Sequence, residues 1–453
     1  MNATSPPPLL ASPVGVRARP ASLRGGRALA GGASLALLVG FAAWIAVGSA
    51  DGFYLNQLPG GLNPSWSEGP FRGLVTLVGG LRASGFSVAA AGMLVAYGLG
   101  LWLAPAISPR VAAAAIVLAT ACFALAPSLV STDVFGYIAY ARLGAVHHIN
   151  PYLNAPIAAP HDSILPFVYW RHASTPYGPL FTFGTYSLGS ASVAFAFWSL
   201  KAVAAASAIA LTWVVARTAA ARGLDPVRAA LLVGLNPVLL LYAVSGAHND
   251  LLATLLIVGG VALAGRGSGA MLVVCGAAVK LTAGLALPFL LLGAQPGRRR
   301  SALLGAGLAL AFLGGASVAL FGLHFADQLW RITHDPTFDT VWSGPDRLSS
   351  LLGVGIGSGV RAASTAGALA ASLFALWRVR RGADWIEAAG WATLALVASI
   401  ASLAPWYVVW VLPLAALSRG RALRVAVLAL TAYLLCVHLP VLGGVPWLAN
   451  PHA

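Results

Sequence analysis

Residues 131–181 read STDVFGYIAYARLGAVHHINPYLNAPIAAPHDSILPFVYWRHASTPYGPLF, and the rest of the chain is organised around them. This long stretch between apolar blocks mixes carboxylates, histidines, arginines, tyrosines and prolines. It follows directly on a hydrophobic run, PRVAAAAIVLATACFALAPSLV, at 109–130. Asp133 therefore stands where a helix leaves an apolar environment, and we predict that it is the chemical centre of the molecule.

The composition is typical of a membrane protein that crosses the bilayer many times. Of 453 residues, 59% are hydrophobic and only 9% are charged, whereas soluble domains carry about 25% charged residues. Runs of about 20 apolar residues recur, and such a run crosses a hydrocarbon core of roughly 30 Å as a helix. The predicted fold class is an all-α polytopic membrane protein without a separate soluble domain.

The net charge of +15 does not indicate a nucleic-acid partner. The 27 basic residues are mostly arginines in short loops, without a basic patch interleaved with aromatic residues. Arginines in short loops typically mark the cytoplasmic side of a membrane protein. The three cysteines, Cys122, Cys275 and Cys436, lie in apolar runs without a pairing or metal-binding pattern, so we predict that they are core residues.

Charge asymmetry predicts the domain organisation. Residues 1–27 are Pro-rich and basic and are predicted to be a disordered cytoplasmic N-terminus. Residues 28–440 are predicted to form a single transmembrane domain of about 13 spanning or partly spanning helices. Residues 131–190 and 324–360 are its predicted external loops, and 441–453 its external tail. The plasma membrane is the expected location.

One segment conflicts with a simple count of crossings. If residues 269–293 formed a single span, Arg298, Arg299 and Arg300 would lie outside, against the positive-inside rule. A short hairpin avoids this conflict, with one half-length helix rising to Lys280 and a second falling from Leu281 to Gly293. The sequence therefore predicts that Lys280 lies at the tip of a hairpin.

A predicted helix starting near Asp133 carries a polar face. Ser131 or Thr132 can cap it, and Asp133, Tyr137 and Tyr140 then share one side at three- to four-residue spacing. A carboxylate beside two phenols is suited to binding a sugar and to accepting a proton. The alternative, about equally supported by the spacing, is that Asp133 only stabilises the helix N-terminus.

The two lysines of the chain both lie in apolar surroundings. A cation inside a membrane is costly and usually marks a function or a paired charge. We predict a functional role for Lys280, with a lipid phosphate as a natural partner. For Lys201 we favour snorkelling to the outer interface.

Other polar and aromatic residues lie at predicted outer ends of helices. His248, Asn249 and Asp250 join two helices, and a functional role is favoured over a purely capping one for Asp250. The adjacent His147 and His148 lack partners at metal-ligand spacing, so no metal site is predicted. Trp406, Tyr407 and Trp410 either belong to an interfacial aromatic belt or form a wall for a polyprenyl chain or a sugar ring.

With these residues assembled, the chain resembles the actinobacterial polyprenyl-phosphomannose-dependent α-1,6-mannosyltransferases, integral glycosyltransferases of the GT-C type. The resemblance rests on short motifs in a matching order. They are Asp133-Val134 with Tyr137, Asn150-Pro151-Tyr152, Pro176-Tyr177-Gly178-Pro179-Leu180, Asn236-Pro237, Gly246-Ala247-His248-Asn249-Asp250, Val279-Lys280 with Leu287-Pro288, and Pro405-Trp406-Tyr407. The first 27 residues and those after Pro440 are not covered.

The resemblance implies a GT-C-like helical bundle with two external catalytic loops. It also implies an inverting transfer of mannose from a polyprenyl phosphate to a mannoside or glycolipid acceptor, forming α-1,6 links in cell-envelope mannan. Asp133 would be the general base, and Lys280, with Arg142 and Arg171, would stabilise the leaving phosphate. The other implied substrate-binding residues are Tyr137, Tyr140, His147, His148, Tyr152, Tyr177, His248, Asn249, Asp250, Trp406 and Tyr407. No cofactor, metal or nucleic acid is expected.

Three alternatives stay open at the level of sequence. The same residues would serve a GT-C transferase for another lipid-linked sugar, such as arabinofuranose or glucose. A flippase or transporter for a lipid-linked sugar would also explain an intramembrane Lys280, although polar residues concentrated on one side favour an enzyme. A structural partner of such an enzyme is the third.

Overall fold

The fold is all-α, in agreement with the prediction from composition. The computed structural model describes residues 21–50, 62, 64–327, 339–340 and 342–442, and none of these forms a β-strand. The α-helices are α1 (Ala21–Gly48), α2 (Val75–Val78), α3 (Ala83–Leu103), α4 (Pro109–Leu125), α5 (Asp133–Ala145), α6 (Pro179–Thr185), α7 (Val193–Ala221), α8 (Pro226–Gly234), α9 (Asp250–Ala262), α10 (Gly267–Val279), α11 (Ala286–Gly293), α12 (Pro296–Phe321), α13 (Gly344–Leu352), α14 (Ser358–Arg380), α15 (Trp385–Ser399), α16 (Leu412–Leu417) and α17 (Arg421–Val437).

Short 3₁₀ and π turns join or extend these helices. The 3₁₀ turns are Ser65–Ser67, Arg72–Leu74, Ala104–Ala106, Pro156–Ala158, Leu165–Phe167, Tyr186–Leu188, Leu281–Leu285, Leu323–Ala326, Pro405–Trp410 and Pro440–Leu442, and Leu239–Val244 is a π-helix. Several of them border the candidate site described below.

Long apolar helices give the protein its membrane character. In the part of the chain that the structure describes, five helices are long and apolar enough to cross a bilayer: Gly25–Gly48, Ala83–Ala106, Val193–Ala221, Pro296–Phe321 and Ser358–Arg380. Shorter apolar helices, such as α9 and α10, pack beside them. The chain is therefore a polytopic helical membrane protein.

Contacts between the helix ends define two opposite ends of the bundle. At the first, Arg222 pairs with Asp384 across 2.5 Å, and Gly293 lies against Trp385. At the same end, Gly265 lies against Arg298. We call this the arginine-rich end, because Arg266, Arg299, Arg300, Arg380 and Arg381 lie within a few residues of these contacts.

The opposite end carries the polar stretch with which the sequence analysis began. The Asn150 amide donates to the carbonyl of Phe321 at 2.8 Å, and the Gly178 N–H donates to the carbonyl of Val279 at 2.9 Å. These bonds seat residues 131–190 on the ends of α12 and α10. We call this the loop end.

The predicted hairpin around Lys280 is confirmed. Lys280 has an extended backbone (φ −149°, ψ 119°) between α10 and a 3₁₀ turn. Gly276 and Ala283 then approach each other as neighbours on facing segments, as do Ala277 and Gly284. The hairpin starts and finishes at the arginine-rich end, as the charge pattern around 269–293 indicated.

The chain is kinked at Asn236-Pro237. Helix α8 ends at Gly234, and the chain continues as the π-helix Leu239–Val244. Proline cannot donate a helical hydrogen bond, and the Asn236 side-chain oxygen instead accepts from the N–H groups of Val238 and Leu239. The break lets the following turn, 245–249, face the loop end.

Some predicted boundaries differ from the structure. Helix α1 begins at Ala21, inside the predicted disordered segment 1–27, whose first 20 residues lie outside the described part. In the predicted loop 324–360, residues 328–338 and 341 lie outside the described part, and α13 occupies 344–352. Of the predicted tail 441–453, only residues 441 and 442 are described.

The predicted snorkelling of Lys201 is wrong. Its side chain is 1% exposed, and Nζ donates to the carbonyls of Ser245 at 2.7 Å and Phe123 at 3.1 Å. Both carbonyls belong to the ends of helical segments, where backbone oxygens without helical partners carry partial negative charge. Lys201 thus ties the end of α4 to the end of the π-helix inside the bundle.

Candidate functional site

Asp133 is the first residue of α5, as predicted. Its backbone N–H donates to the Ser131 hydroxyl at 3.2 Å, whereas Thr132 makes no side-chain capping bond. Eight of the thirteen residues of α5 are buried, and all eight are apolar or aromatic, so they anchor the helix in the bundle. The Asp133 side chain is 15% exposed and stays open to a ligand.

The surroundings of Asp133 make it a stronger base than an ordinary aspartate. Burial raises the pKa of Asp133 to about 6, and the nearby charge of Asp250 adds to the rise. The charge of Lys280 and hydrogen bonds from Tyr177 and Ser131 oppose it. A carboxylate with this pKa is mostly ionised at neutral pH yet accepts a proton more readily than a solvent-exposed one.

His248 lies beside Asp133 on the turn that follows the π-helix. Its Nδ1 is 3.6 Å from a carboxylate oxygen of Asp133, and its ring stacks on Trp406 at a centroid distance of 3.7 Å. Ala247, just before it, has φ 55°, a left-handed conformation that redirects the chain here. The structure thus joins the histidine, Trp406 and the carboxylate in one cluster.

Buried polar atoms without partners mark the same place. Neither ring nitrogen of His248 nor either polar atom of the Asn249 amide has a hydrogen-bond partner in the described part of the chain. Such a buried group costs about 1–3 kcal/mol when it is left unpaired. A bound polar molecule would satisfy them, which is typical of a ligand site.

Asp250 and Lys280 form a buried ion pair next to this cluster. Lys280 Nζ lies 2.7 Å from Oδ1 and 2.9 Å from Oδ2 of Asp250. Trp410 Nε1 donates to Oδ1 of the same carboxylate at 2.6 Å. Asp250 is fully buried, while the Lys280 side chain is 17% exposed. The lysine thus has a fixed position and one accessible side.

Aromatic rings surround the lysine ammonium. Lys280 Nζ lies 5.0 Å from the ring centroid of Tyr407 and 5.3 Å from that of Trp410. These two rings stack on each other at 4.3 Å. Their faces stabilise a cation by about 0.5–2 kcal/mol. Tyr407 thus lies against Lys280, as Trp406 lies against His248.

The predicted tyrosines gather around Asp133. Tyr137 packs edge-on against Tyr177 at 4.6 Å, and its hydroxyl lies 3.5 Å from the N–H of Asn249. The Tyr140 hydroxyl donates to the carbonyl of Ala173 at 2.8 Å. The Tyr152 hydroxyl donates to the carbonyl of Tyr177 at 2.7 Å and so holds Tyr177 from outside the cluster.

Other predicted residues belong to a separate network in the loop. Arg142 Nε and His147 Nε2 both contact Asp162, at 2.7 Å and 2.5 Å. Burial opposes the charged form of Asp162, but bonds from the Ile164 N–H, His147 and Arg142 outweigh it and lower its pKa. Arg142 and His147 therefore stabilise the loop instead of facing Asp133. His148 is exposed, and Arg171 borders an open groove described below.

Asp162 and Lys201 were not among the predicted site residues, and Trp410 was considered only as part of an aromatic wall. Asp162 is the only carboxylate between Asp133 and Asp225, and this isolation in a basic loop was a signal for a paired acid. Trp410 follows Tyr407 at helical spacing, but nothing in the sequence relates it to Asp250. Within the described ranges, no group of three His, Cys, Asp or Glu side chains is placed to hold a metal ion.

The fold and the site together define an integral membrane protein with its polar chemistry gathered at one end of a helical bundle. A family model described as "alpha-(1->6)-mannopyranosyltransferase, N-terminal domain" matches residues 32–295, and one described as "MptB C-terminal domain" matches residues 348–449. The chain therefore belongs to the α-(1→6)-mannopyranosyltransferase family and is a glycosyltransferase by membership. The predicted resemblance is confirmed.

Individual relatives agree with this family. The chain is 30% identical to α-(1→6)-mannopyranosyltransferase A of Mycobacterium tuberculosis, over 71% of this chain and 69% of the relative. It is 29% identical to α-(1→6)-mannopyranosyltransferase A of Corynebacterium glutamicum, over 36% of this chain and 35% of that protein. No solved structure matches the chain.

Proposed function

We propose that this protein is an inverting transferase that moves mannose from a polyprenyl phosphate to a mannoside or glycolipid acceptor and forms α-1,6 links. The proposal rests on two groups that lie in one cluster. One is Asp133, a carboxylate of raised pKa, and the other is Lys280, an ammonium held in place by Asp250. The names of the relatives support mannose as the sugar and α-1,6 as the link.

The proposed step needs only a base and a positive charge. The acceptor hydroxyl oxygen attacks the anomeric carbon of the donor while its proton passes to Asp133. The bond between that carbon and the phosphate oxygen breaks, and the electron pair leaves with the polyprenyl phosphate. Lys280, held by Asp250 and open on one side, stabilises the added negative charge. His248 and Asn249 bind the sugar through their unpaired polar atoms.

The arrangement of charges supports an external site in the plasma membrane. The arginines near Arg222, Arg266 and Arg298 lie at one end of the bundle, and the Asp133 cluster lies at the other. Basic residues typically stay on the cytoplasmic side. The loop end then faces outward, with a GT-C-type bundle receiving its donor from the membrane and its acceptor glycan from the cell envelope. The reaction as proposed requires no cofactor.

The test is transfer of radiolabelled mannose from polyprenyl phosphate mannose to a short α-1,6-mannoside, in membranes that carry the protein. We expect Asp133→Asn to lower the rate about 10²–10⁴-fold, the usual contribution of a general base. Asp327→Asn is the matched control, since Asp327 is an exposed acid that pairs with His324. Equal transfer by Asp133→Asn and the parent would remove Asp133 from the mechanism.

The donor can be varied in the same assay. If the parent transfers nothing from the mannose donor but transfers arabinofuranose or glucose from their polyprenyl phosphates, the sugar in the proposal is wrong and the reaction class stands. If it transfers none of the three while the folded protein moves lipid-linked sugar across vesicles, the flippase alternative replaces the proposal.

A further inference from the structure

A second feature of the loop end is an open groove in the 131–190 segment. It encloses about 550 Å³ and is lined by Pro160, His161, Asp162, Ser163, Leu165, Pro166 and Arg171. The groove therefore combines apolar ring and methyl surfaces with polar side chains. None of the steps proposed above uses it.

Hydrogen bonds hold the base of the groove, whereas the polar side chains at its rim face outward. The carboxylate of Asp162 is already engaged by Arg142, His147 and the N–H of Ile164. The side chains of His161, Ser163 and Arg171, by contrast, have no hydrogen-bond partner in the described part of the chain. Donors held open beside a fixed floor are suited to binding a polar ligand.

Contacts of the 171–177 segment place the groove near the aromatic residues around Asp133. Tyr140, which shares the polar face of α5 with Asp133, donates to the carbonyl of Ala173. Arg171 is two residues before Ala173, and two residues of chain span at most about 7 Å. The chain then runs on to Tyr177, whose ring lies 6.2 Å from that of Tyr140 and which influences the pKa of Asp133. An acceptor chain that extends from Asp133 past these rings would reach the groove.

We propose that this groove binds the acceptor glycan behind the sugar that receives the new mannose, as an extended mannoside subsite. The inference rests on the proposed function and deepens it. The carbon-bound hydrogens of a sugar ring suit the surfaces of Pro160 and Pro166, and its hydroxyls suit the donors on His161, Ser163 and Arg171. The acceptor chain, and not only its terminal sugar, is then recognised.

The test is a series of α-1,6-mannoside acceptors of one, two and four sugars with purified protein. Arg171→Ala and His161→Ala should lower kcat/KM for the tetrasaccharide about tenfold each, the loss expected for one or two hydrogen bonds, and leave the monosaccharide unchanged. Arg72→Ala is the matched control, because Arg72 is an exposed arginine that pairs with Glu68 instead of lining the groove.

The results of this test separate failure of the subsite from failure of the proposed transferase function. For the two alanine variants, an equal loss at every acceptor length, or no loss in either, would overturn the subsite but not the transferase activity. A parent that transfers mannose to none of the acceptors would instead count against the proposed function. Arg171→Gln separates hydrogen bonding from charge: preserved use of the neutral tetrasaccharide supports the subsite. If Arg171→Gln lost activity only with acceptors that carry a phosphate, the groove would be an anion site and the mannoside subsite would be overturned.

Discussion

At the residue scale, the environment of Asp133 is a balance of opposing influences. Burial and the charge of Asp250 raise its pKa, and Lys280, Tyr177 and Ser131 hold the rise to a value of about 6. The carboxylate is therefore ionised at neutral pH but protonated in mild acid. A single substitution at any of these neighbours should therefore change the pKa of Asp133.

The pH dependence of transfer should report this balance. Only the ionised carboxylate accepts a proton, so kcat/KM should fall as the pH drops through about 6. Tyr177→Phe removes a hydrogen bond that favours the charged form, so it should raise the pKa of Asp133 and move the midpoint to higher pH. The measurement is the pH profile of initial rates for both proteins.

Tyr186→Phe is the control for this profile, because Tyr186 lies against Gly144 and is not among the groups that influence Asp133. An acid limb that stays in place in Tyr177→Phe, or that moves equally in both variants, would contradict the assignment.

The ion pair of Asp250 and Lys280 permits a second prediction at this scale. Removing either partner leaves a buried charge uncompensated, which costs about 3–5 kcal/mol. Lys280→Met and Asp250→Asn should each lower the thermal stability of the purified protein. The double variant should regain most of it, because no unpaired charge remains.

Activity then separates two roles for Lys280. If it stabilises the leaving phosphate, the double variant is stable but stays inactive. Recovery of transfer together with stability would mean that the pair is only structural.

At the element scale, the site depends on the contact between the 131–190 loop and the hairpin at Lys280. The Gly178 N–H bonds the carbonyl of Val279, next to Lys280. A β-carbon at Gly178 would lie 2.2 Å from the carbonyl oxygen of Ala278, so the two backbones approach too closely for any side chain. This contact sets Tyr177 and Lys280 at a fixed distance from each other.

Gly178→Ala should therefore lower the transfer rate by up to about 10²-fold, since a shift of about 1 Å in catalytic groups can cost that much. Gly184→Ala, in the adjacent helix α6, is the matched control because nothing lies within 4 Å of its β-carbon position. Rates are compared at equal amounts of folded protein. Identical rates for the two variants would show that transfer does not depend on the close contact at Gly178.

At the scale of the whole molecule, the hairpin at Lys280 determines which helix ends lie at the arginine-rich end and which lie at the loop end. Arg266 and Arg298 lie at one end, and Asp133 and Lys280 at the other. The single domain predicted for 28–440 stays a prediction, as does the number of crossings.

The orientation can be measured with cysteine labelling. In a variant without the three native cysteines, Arg298→Cys should resist an impermeant maleimide in intact cells and react after permeabilisation. Ser163→Cys, exposed in the loop, should react in intact cells. Labelling of position 298 from outside would reverse the proposed orientation and remove the argument for an external site.

Much of this architecture follows from local properties of the sequence. The apolar runs, the break at Asn236-Pro237 and the hairpin at Lys280 are set by hydrophobicity, by the missing donor of proline and by the distribution of arginine. The start of α5 at Asp133 follows from local capping. These features depend on residues close together in the chain, so a pattern in the sequence is enough to reveal them.

Tertiary structure alone decided which side chains meet. The Asp250 partners Lys280 and Trp410 lie 30 and 160 residues away in the chain, and the partner of Arg142 is Asp162 and not a substrate phosphate. Lys201 turned inward to two helix ends although its surroundings suggested the interface. Such pairs arise from the packing of distant helices, and because helical periodicity describes one helix at a time, it carries no information about them.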